Sequence, residues 1–410
     1  MQNTTARLAH LSDRPTTATT IGVFTAARLA GNTFLRFPYV FVTAIAAGLG
    51  TDVRVVTAIL GLRELGGLAT PALSRAIDRG HLPRTLAIAG AVTGMASVGA
   101  VVGGLWGFTI ALAVSGVGKM GIDLAQNAWI GHHVPFARRA RATATVELSW
   151  ALAFLAGVPV LALAVGRWGW RAPFLIVAPF LVGLTAWGAR VARPPSDAAP
   201  VDQQRADAPA ADDHAPRRPL PRWSIWIYCF LQPFAVMIVF AVNGDWLATS
   251  LHLSESALGV AAIAMGIAEV AGTTLTMVAA DRTGPARMST WAMAACVPPL
   301  AILVSTPTNA VVAVGLFVIL DLAIECSFVA VLPLVSELDP DNRARAISHA
   351  FVIITGSRAI GSVAAGWIYG VGGFAAISVV AAVVAAAATA ALIAGRASRR
   401  PQDRRKTTPA

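Results

Sequence analysis

Charge is scarce in this sequence. Only 13% of its 410 residues are Asp, Glu, Lys or Arg, about half of the roughly 25% usual in soluble domains. Lysine is almost absent: Lys119 and Lys406 are the two examples. Cysteine is equally sparse. Cys229, Cys296 and Cys326 all fall in apolar stretches, where a free thiol behaves as a small hydrophobe. Their spacing offers neither a disulfide framework nor a metal site. No phosphate-cradling glycine motif is present, which argues against a nucleotide-driven machine. Neither cofactor nor metal is expected, and enzymatic activity is not expected either. The net charge of +11 does not imply a nucleic-acid partner, because the basic residues lie in segments between apolar runs.

Those apolar runs dominate the chain. Hydrophobic residues make up 56% of it, and stretches of about 20 residues recur, each long enough to cross a hydrocarbon core of about 30 Å. Spans are expected near 21–49, 54–77, 84–103, 105–131, 143–166 and 171–190. A second set follows near 223–250, 255–279, 287–305, 309–335, 343–369 and 373–395. Residues 1–20 read as a polar tail, with no cleavable leader expected before the first span. Residues 191–222, rich in Pro, Asp, Ala and Arg, cannot bury enough apolar surface to order themselves and read as a flexible linker. The expected organisation is a tail at 1–20, a six-helix half at 21–190, the linker at 191–222, a second half at 223–395 and a basic tail at 396–410. The fold class is therefore an all-α membrane protein of twelve transmembrane helices in two pseudo-symmetric halves.

Charge orients the bundle. With both termini and the linker cytoplasmic, 24 of the 32 Lys and Arg residues lie inside, while Arg54, Arg167 and Arg171 lie outside. This follows the positive-inside rule. A multi-pass protein of the plasma or inner membrane is expected, monomeric, with the lipid bilayer as its surroundings. Trp168, Trp170, Trp223 and Trp226 fit the interfacial aromatic belt. His132 and His133 read as a solvated pair.

The halves repeat. "RARAT" at 139–143 matches "RARAI" at 343–347, which sets Arg141 against Arg345. Gly157, Gly166 and Gly169 match Gly361, Gly370 and Gly373. "GLRELGG" from Gly61 matches "GIAEVAG" from Gly266, so Glu64 corresponds to Glu269; Asp78-Arg79 corresponds to Asp281-Arg282. Parallel six-helix repeats of this kind place a solute site between the halves near the bilayer midplane.

The loop "ADRTGPAR" (280–287), its shorter copy "IDRGHLPR" (77–84) and the run "GWRAPF" (169–174) resemble the signature loops and sixth-helix entry of the major facilitator superfamily. Within it the chain is similar to bacterial twelve-helix sugar and drug efflux permeases. The resemblance implies a secondary transporter working by alternating access, with a small-molecule substrate and protons as the coupling ion. It also implies that Asp78, Arg79, Asp281 and Arg282 lock the cytoplasmic side. Glu147, near Arg141, is expected in the same gate. Proton-coupled efflux is the favoured function. An importer or uniporter of sugars or organic acids is one alternative. A non-transporting receptor or assembly factor of the same fold is another.

Ionisable groups inside spans carry the site expectation, since each costs about 2.5–3.5 kcal/mol at a helix centre. They must face water or one another. Lys119 and Asp123, four apart, share a helix face and can pair, as a structural pair or in a central cavity. Asp321 and Glu325 are also four apart. Like charges that close disfavour double ionisation, so one of the two is expected to hold a proton, with Glu325 the deeper. Glu64 and Glu269 are candidates for the contact between halves or for the solute path. Arg63, beside Glu64, points elsewhere and needs another partner. Arg28, Asn32 and Arg36 form a polar stripe along the first helix; Arg28 is expected to snorkel toward the cytoplasmic end, and Arg36, the deeper arginine, to line a cavity. Arg358 is expected to pair with an acidic residue of the second half.

Overall fold

A computed structural model describes residues 17–192, 220–339 and 343–398; the tails and the linker expected at 191–222 lie almost wholly outside them. The described residues are helical throughout, with no strand. Among the described residues, eight helices are long and apolar enough to cross a membrane, and a bent pair, Thr17–Val40 with Val42–Leu49, makes a ninth. Pro38 lies inside the first member of that pair. Its missing N–H opens the hydrogen-bond ladder, and the chain turns by 73° one residue after Val40.

Two of the eight are double. Val53–Val102 and Ala346–Ala397 hold 50 and 52 residues, about 75 Å of helix at 1.5 Å per residue, far more than one crossing needs. Gly80, at φ 84°, and Gly373, at φ 61°, break them in the middle. That left-handed backbone is open to glycine at little steric cost. Gly80 thus supplies the turn in the shorter loop, where it follows Arg79 directly.

Labelled in order, the first half holds α1 (17–49), α2 (53–76), α3 (82–102), α4 (104–133), α5 (136–168) and α6 (172–191). The second holds α7 (222–249), α8 (255–283), α9 (285–303, interrupted at Cys296), α10 (310–336), α11 (343–372) and α12 (374–397). The ends of α6 and α7 beside residues 193–219 define the linker end of the bundle; the opposite end is the far end.

Close packing depends on small residues, as in other membrane bundles where lipid tails compete with side chains for apolar contact. α2 and α4 touch backbone to backbone. A Cβ on Gly66 would lie 2.2 Å from the carbonyl carbon of Gly116, and one on Gly116 would lie 2.0 Å from the Arg63 carbonyl oxygen. At the far end an aromatic cluster of Phe34, Phe37, Phe108, Trp170 and Phe174 fills the first half with edge-to-face contacts. Trp246 stacks on Phe374 in the second, 4.3 Å between centroids.

Candidate functional site

Arg36 sits on α1 four residues before Val40, where that helix bends. Pairing offsets the desolvation of a buried guanidinium only where the geometry is good, and here the geometry is complete. Its Nη1 donates to Glu269 Oε2 at 2.8 Å and to the Trp150 carbonyl at 2.9 Å. Its Nη2 donates to Glu269 Oε1. Its plane lies over Phe154, 3.4 Å from the centroid, and Trp150, 4.4 Å away. Glu269 belongs to α8, so this pair joins the two halves.

A second pair crosses in the opposite sense. Arg358 Nε on α11 donates to Glu64 Oε2 on α2 at 2.8 Å. Tyr39 donates to the other oxygen at 3.2 Å. The expectation for Arg358 was a partner in its own half; the partner is instead the first half's glutamate, because α11 packs along α2. Arg63 donates to the Leu35 carbonyl at 2.7 Å and lies over the Tyr39 ring, but it also meets the adjacent Glu64 at 3.4 Å, so the expectation that it points away from that neighbour is corrected. Among the described residues its Nε and Nη1 have no hydrogen-bond partner. The repeat-equivalent glutamates Glu64 and Glu269 therefore each receive an arginine from the other half. Further polar contacts between halves lie toward the far end: Thr43 donates to Asp245 at 2.7 Å, and Ser362 donates to the Thr57 carbonyl at 2.8 Å.

Toward the linker end of the first half, Arg28 ties a second group together. It meets Asp123 at 3.4 Å, Glu147 at 2.8 Å and Asn127 at 3.3 Å. Lys119 donates to Asp123 at 2.7 Å, the expected pairing along one helix face. Arg28 is buried rather than reaching for the interface. Glu147 pairs with Arg28 instead of Arg141, which lies six residues earlier on α5 and is exposed. Asn32 is sealed by a bond to Ser149. Asp123 keeps one-fifth of its side chain exposed and Glu147 one-half. Two cations and two anions make this group neutral.

The third group is not balanced. Asp321 and Glu325 on α10 lie within electrostatic reach of Glu269 and Arg36. Of these three carboxyls, Glu269 alone is bonded to Arg36 among the described residues. Glu325 accepts a hydrogen bond from Thr273 at 2.8 Å. Asp321 is only 4% exposed, and its Oδ2 has no hydrogen-bond partner among the described residues. Glu325, expected to be the deeper, is the more exposed of the two. Asp321 lies eleven residues into α10 and is buried there, whereas Glu325 is one turn nearer the linker end and half-buried.

Helix rank shows a correspondence that residue spacing alone concealed. α4 and α10 are the fourth helices of their halves, and Lys119/Asp123 stand where Asp321/Glu325 stand. The offset there is 202 residues, against 205 for Glu64 and Glu269, and the replacement of lysine by aspartate hides the match. The gate expectation is only partly visible. Asp78, Arg79 and Arg282 are exposed at the linker end. The side chains of Asp281 and Arg345 lie outside the described residues. Among the described residues, no group of His, Cys, Asp and Glu is arranged to hold a metal.

No curated protein matches the sequence. Solved structures do match the fold. A bacterial homolog of the human lysosomal transporter Spinster, in an inward-facing and occupied conformation, superposes with a TM-score of 0.74 at 14% identity, over 94% of this chain and 98% of that one. Its inward-facing, unoccupied form gives 0.72 at 14% identity, over 92% and 97%. A variant of the nucleoside transporter NupG gives 0.70 at 14% identity, over 93% and 100%. The model of the Major Facilitator Superfamily matches residues 21–243 and again 225–410. The duplicated helical bundle, its glutamates latched crosswise and the two family matches lead to one statement: this chain is a membrane transporter of the major facilitator superfamily.

Proposed function

We propose that the protein is a proton-coupled exporter of a small organic compound, working by alternating access in the plasma membrane with both termini and the linker cytoplasmic. The unbalanced group around Asp321 carries this reading. An ionised carboxylate with an unbonded oxygen is costly in a buried setting. Protonation of Asp321 or Glu325 relieves that cost, and an arginine partner or a cation relieves it too. The Arg36–Glu269 pair stands beside them, so the protonation state of α10 is coupled electrostatically to a bond that holds the halves together. In the alternating-access scheme the crosswise pairs Arg36–Glu269 and Glu64–Arg358 close the far half. The site is then reached from the linker end, past Asp123 and Asn127. Breaking both pairs lets the far end open.

The test is transport in proteoliposomes with an imposed pH gradient, using a panel of labelled amphiphiles, nucleosides and sugars. Gradient-driven movement of one class is expected. Asp321→Asn should lose the drive but keep exchange of internal for external solute. Movement that ignores the gradient in the unaltered protein overturns proton coupling and leaves a uniporter. Transport that proceeds only inward overturns export.

A further inference from the structure

We propose that the outer rim of the seam between α2 and α11 is a binding site for an anionic phospholipid. A groove of about 390 Å³ runs there between α2, the start of α4 and α11 of the other half. Ile59, Leu62, Leu105, Trp106 and Trp367 line it, and Arg54 stands among them as the one charged residue. The walls are open to the hydrocarbon: Trp106 is 77% exposed and Trp367 61%. All three helices reach the far end here, so Arg54 and the two tryptophans lie at headgroup depth.

Arg54 is held rather than free to wander. Its guanidinium lies over the Trp367 ring, 5.9 Å from the centroid. Its side chain crosses α11 at Gly370, where a Cβ would come within 3.0 Å of both Cδ and Nε. A larger residue at that place would displace it. Among the described residues no carboxylate pairs with it. A fixed, unneutralised guanidinium above an apolar groove that opens to lipid matches an anionic headgroup with an acyl chain below it. The guanidinium fork suits a phosphate oxygen pair. A zwitterionic lipid offers the same chain and phosphate but cancels the charge. The groove bridges both halves, so a lipid seated in it covers the seam that must move.

The experiment is native mass spectrometry of the full-length protein released from nanodiscs of phosphatidylglycerol or phosphatidylcholine, with melting temperatures in each. The expected result is at least one phosphatidylglycerol retained per protein and no retained phosphatidylcholine. Arg54→Gln should weaken retention about tenfold, while Arg54→Lys keeps most of it. Thr109→Trp, which fills the groove without touching the charge, should lose retention as well and guards against misfolding of the glutamine variant. Equal retention of the two lipids overturns the proposal. So does retention unchanged in Arg54→Gln and Thr109→Trp, or a dimer that replaces the lipid. Inorganic phosphate should not raise the melting temperature; protection by phosphate alone would mean an anion site without a lipid.

Discussion

Glu269→Gln isolates the two-pronged, more deeply buried of the two arginine–glutamate pairs between the halves. The Arg36 and Glu269 side chains are only 10% and 4% exposed, so solvent does not compensate for a lost charge. Glu269 is the one carboxylate bonded to Arg36 among the described residues, and removing one partner of such a pair strands the other in a buried place, which costs about 3–5 kcal/mol. That cost falls on the far-end-closed arrangement. Once the far half opens, Arg36 meets water and the loss is largely repaired. A bias of about 3 kcal/mol changes the ratio of the two arrangements by about a hundredfold, at 1.4 kcal/mol per factor of ten. Spin labels at Arg75→Cys on α2 and His349→Cys on α11, both exposed near the linker end, report the change as a distance distribution. The unaltered protein should show the longer separation. Glu269→Gln should shift weight to a shorter one as the linker ends approach. Replacing both partners together, Arg36→Leu with Glu269→Leu, removes the stranded charge and should return most of the population. An unchanged distribution in Glu269→Gln, with an unchanged melting temperature, refutes the claim that this pair sets the balance.

Other outcomes follow from the same geometry. Glu64→Gln should act in the same direction but more weakly, since the Arg358 side chain is 23% exposed and water reaches it; the same labels test this. Gly66→Ala should lower the melting temperature in detergent sharply, because its Cβ would fall 2.2 Å from the Gly116 backbone and no side-chain rotation relieves such a clash. Arg28→Met should destabilise more than Lys119→Met, because Arg28 holds Asp123, Glu147 and Asn127 together whereas Lys119 meets Asp123 alone; thermal melts order the two. Maleimide should label none of Cys229, Cys296 or Cys326 in the folded protein, since all three are buried, and all three after denaturation; rapid labelling of any under native conditions contradicts the packing.

What the sequence determined by itself was the solvent and the repeat. Runs of apolar residues long enough for a bilayer leave few choices of architecture, because backbone polar groups in hydrocarbon must be satisfied within each segment. The expectation of an all-α membrane bundle was therefore legible, as was the correspondence of Glu64 with Glu269. The Lys119–Asp123 pair was legible too, since a spacing of four on a helix is a local property. Partners across helices were not. Glu147 met Arg28 rather than Arg141, and Arg358 met Glu64 rather than an acid of its own half. Asp321 proved more deeply buried than Glu325. Each depends on which helix faces lie against each other, and the 3.6-residue period fixes a face only relative to its own axis. The rotation of α10 and the passage of α11 along α2 are set by packing among small residues spread over the whole chain. Tertiary structure alone decided that the two equivalent glutamates exchange arginines between halves, and that Asp321 is buried within electrostatic reach of the Arg36–Glu269 pair.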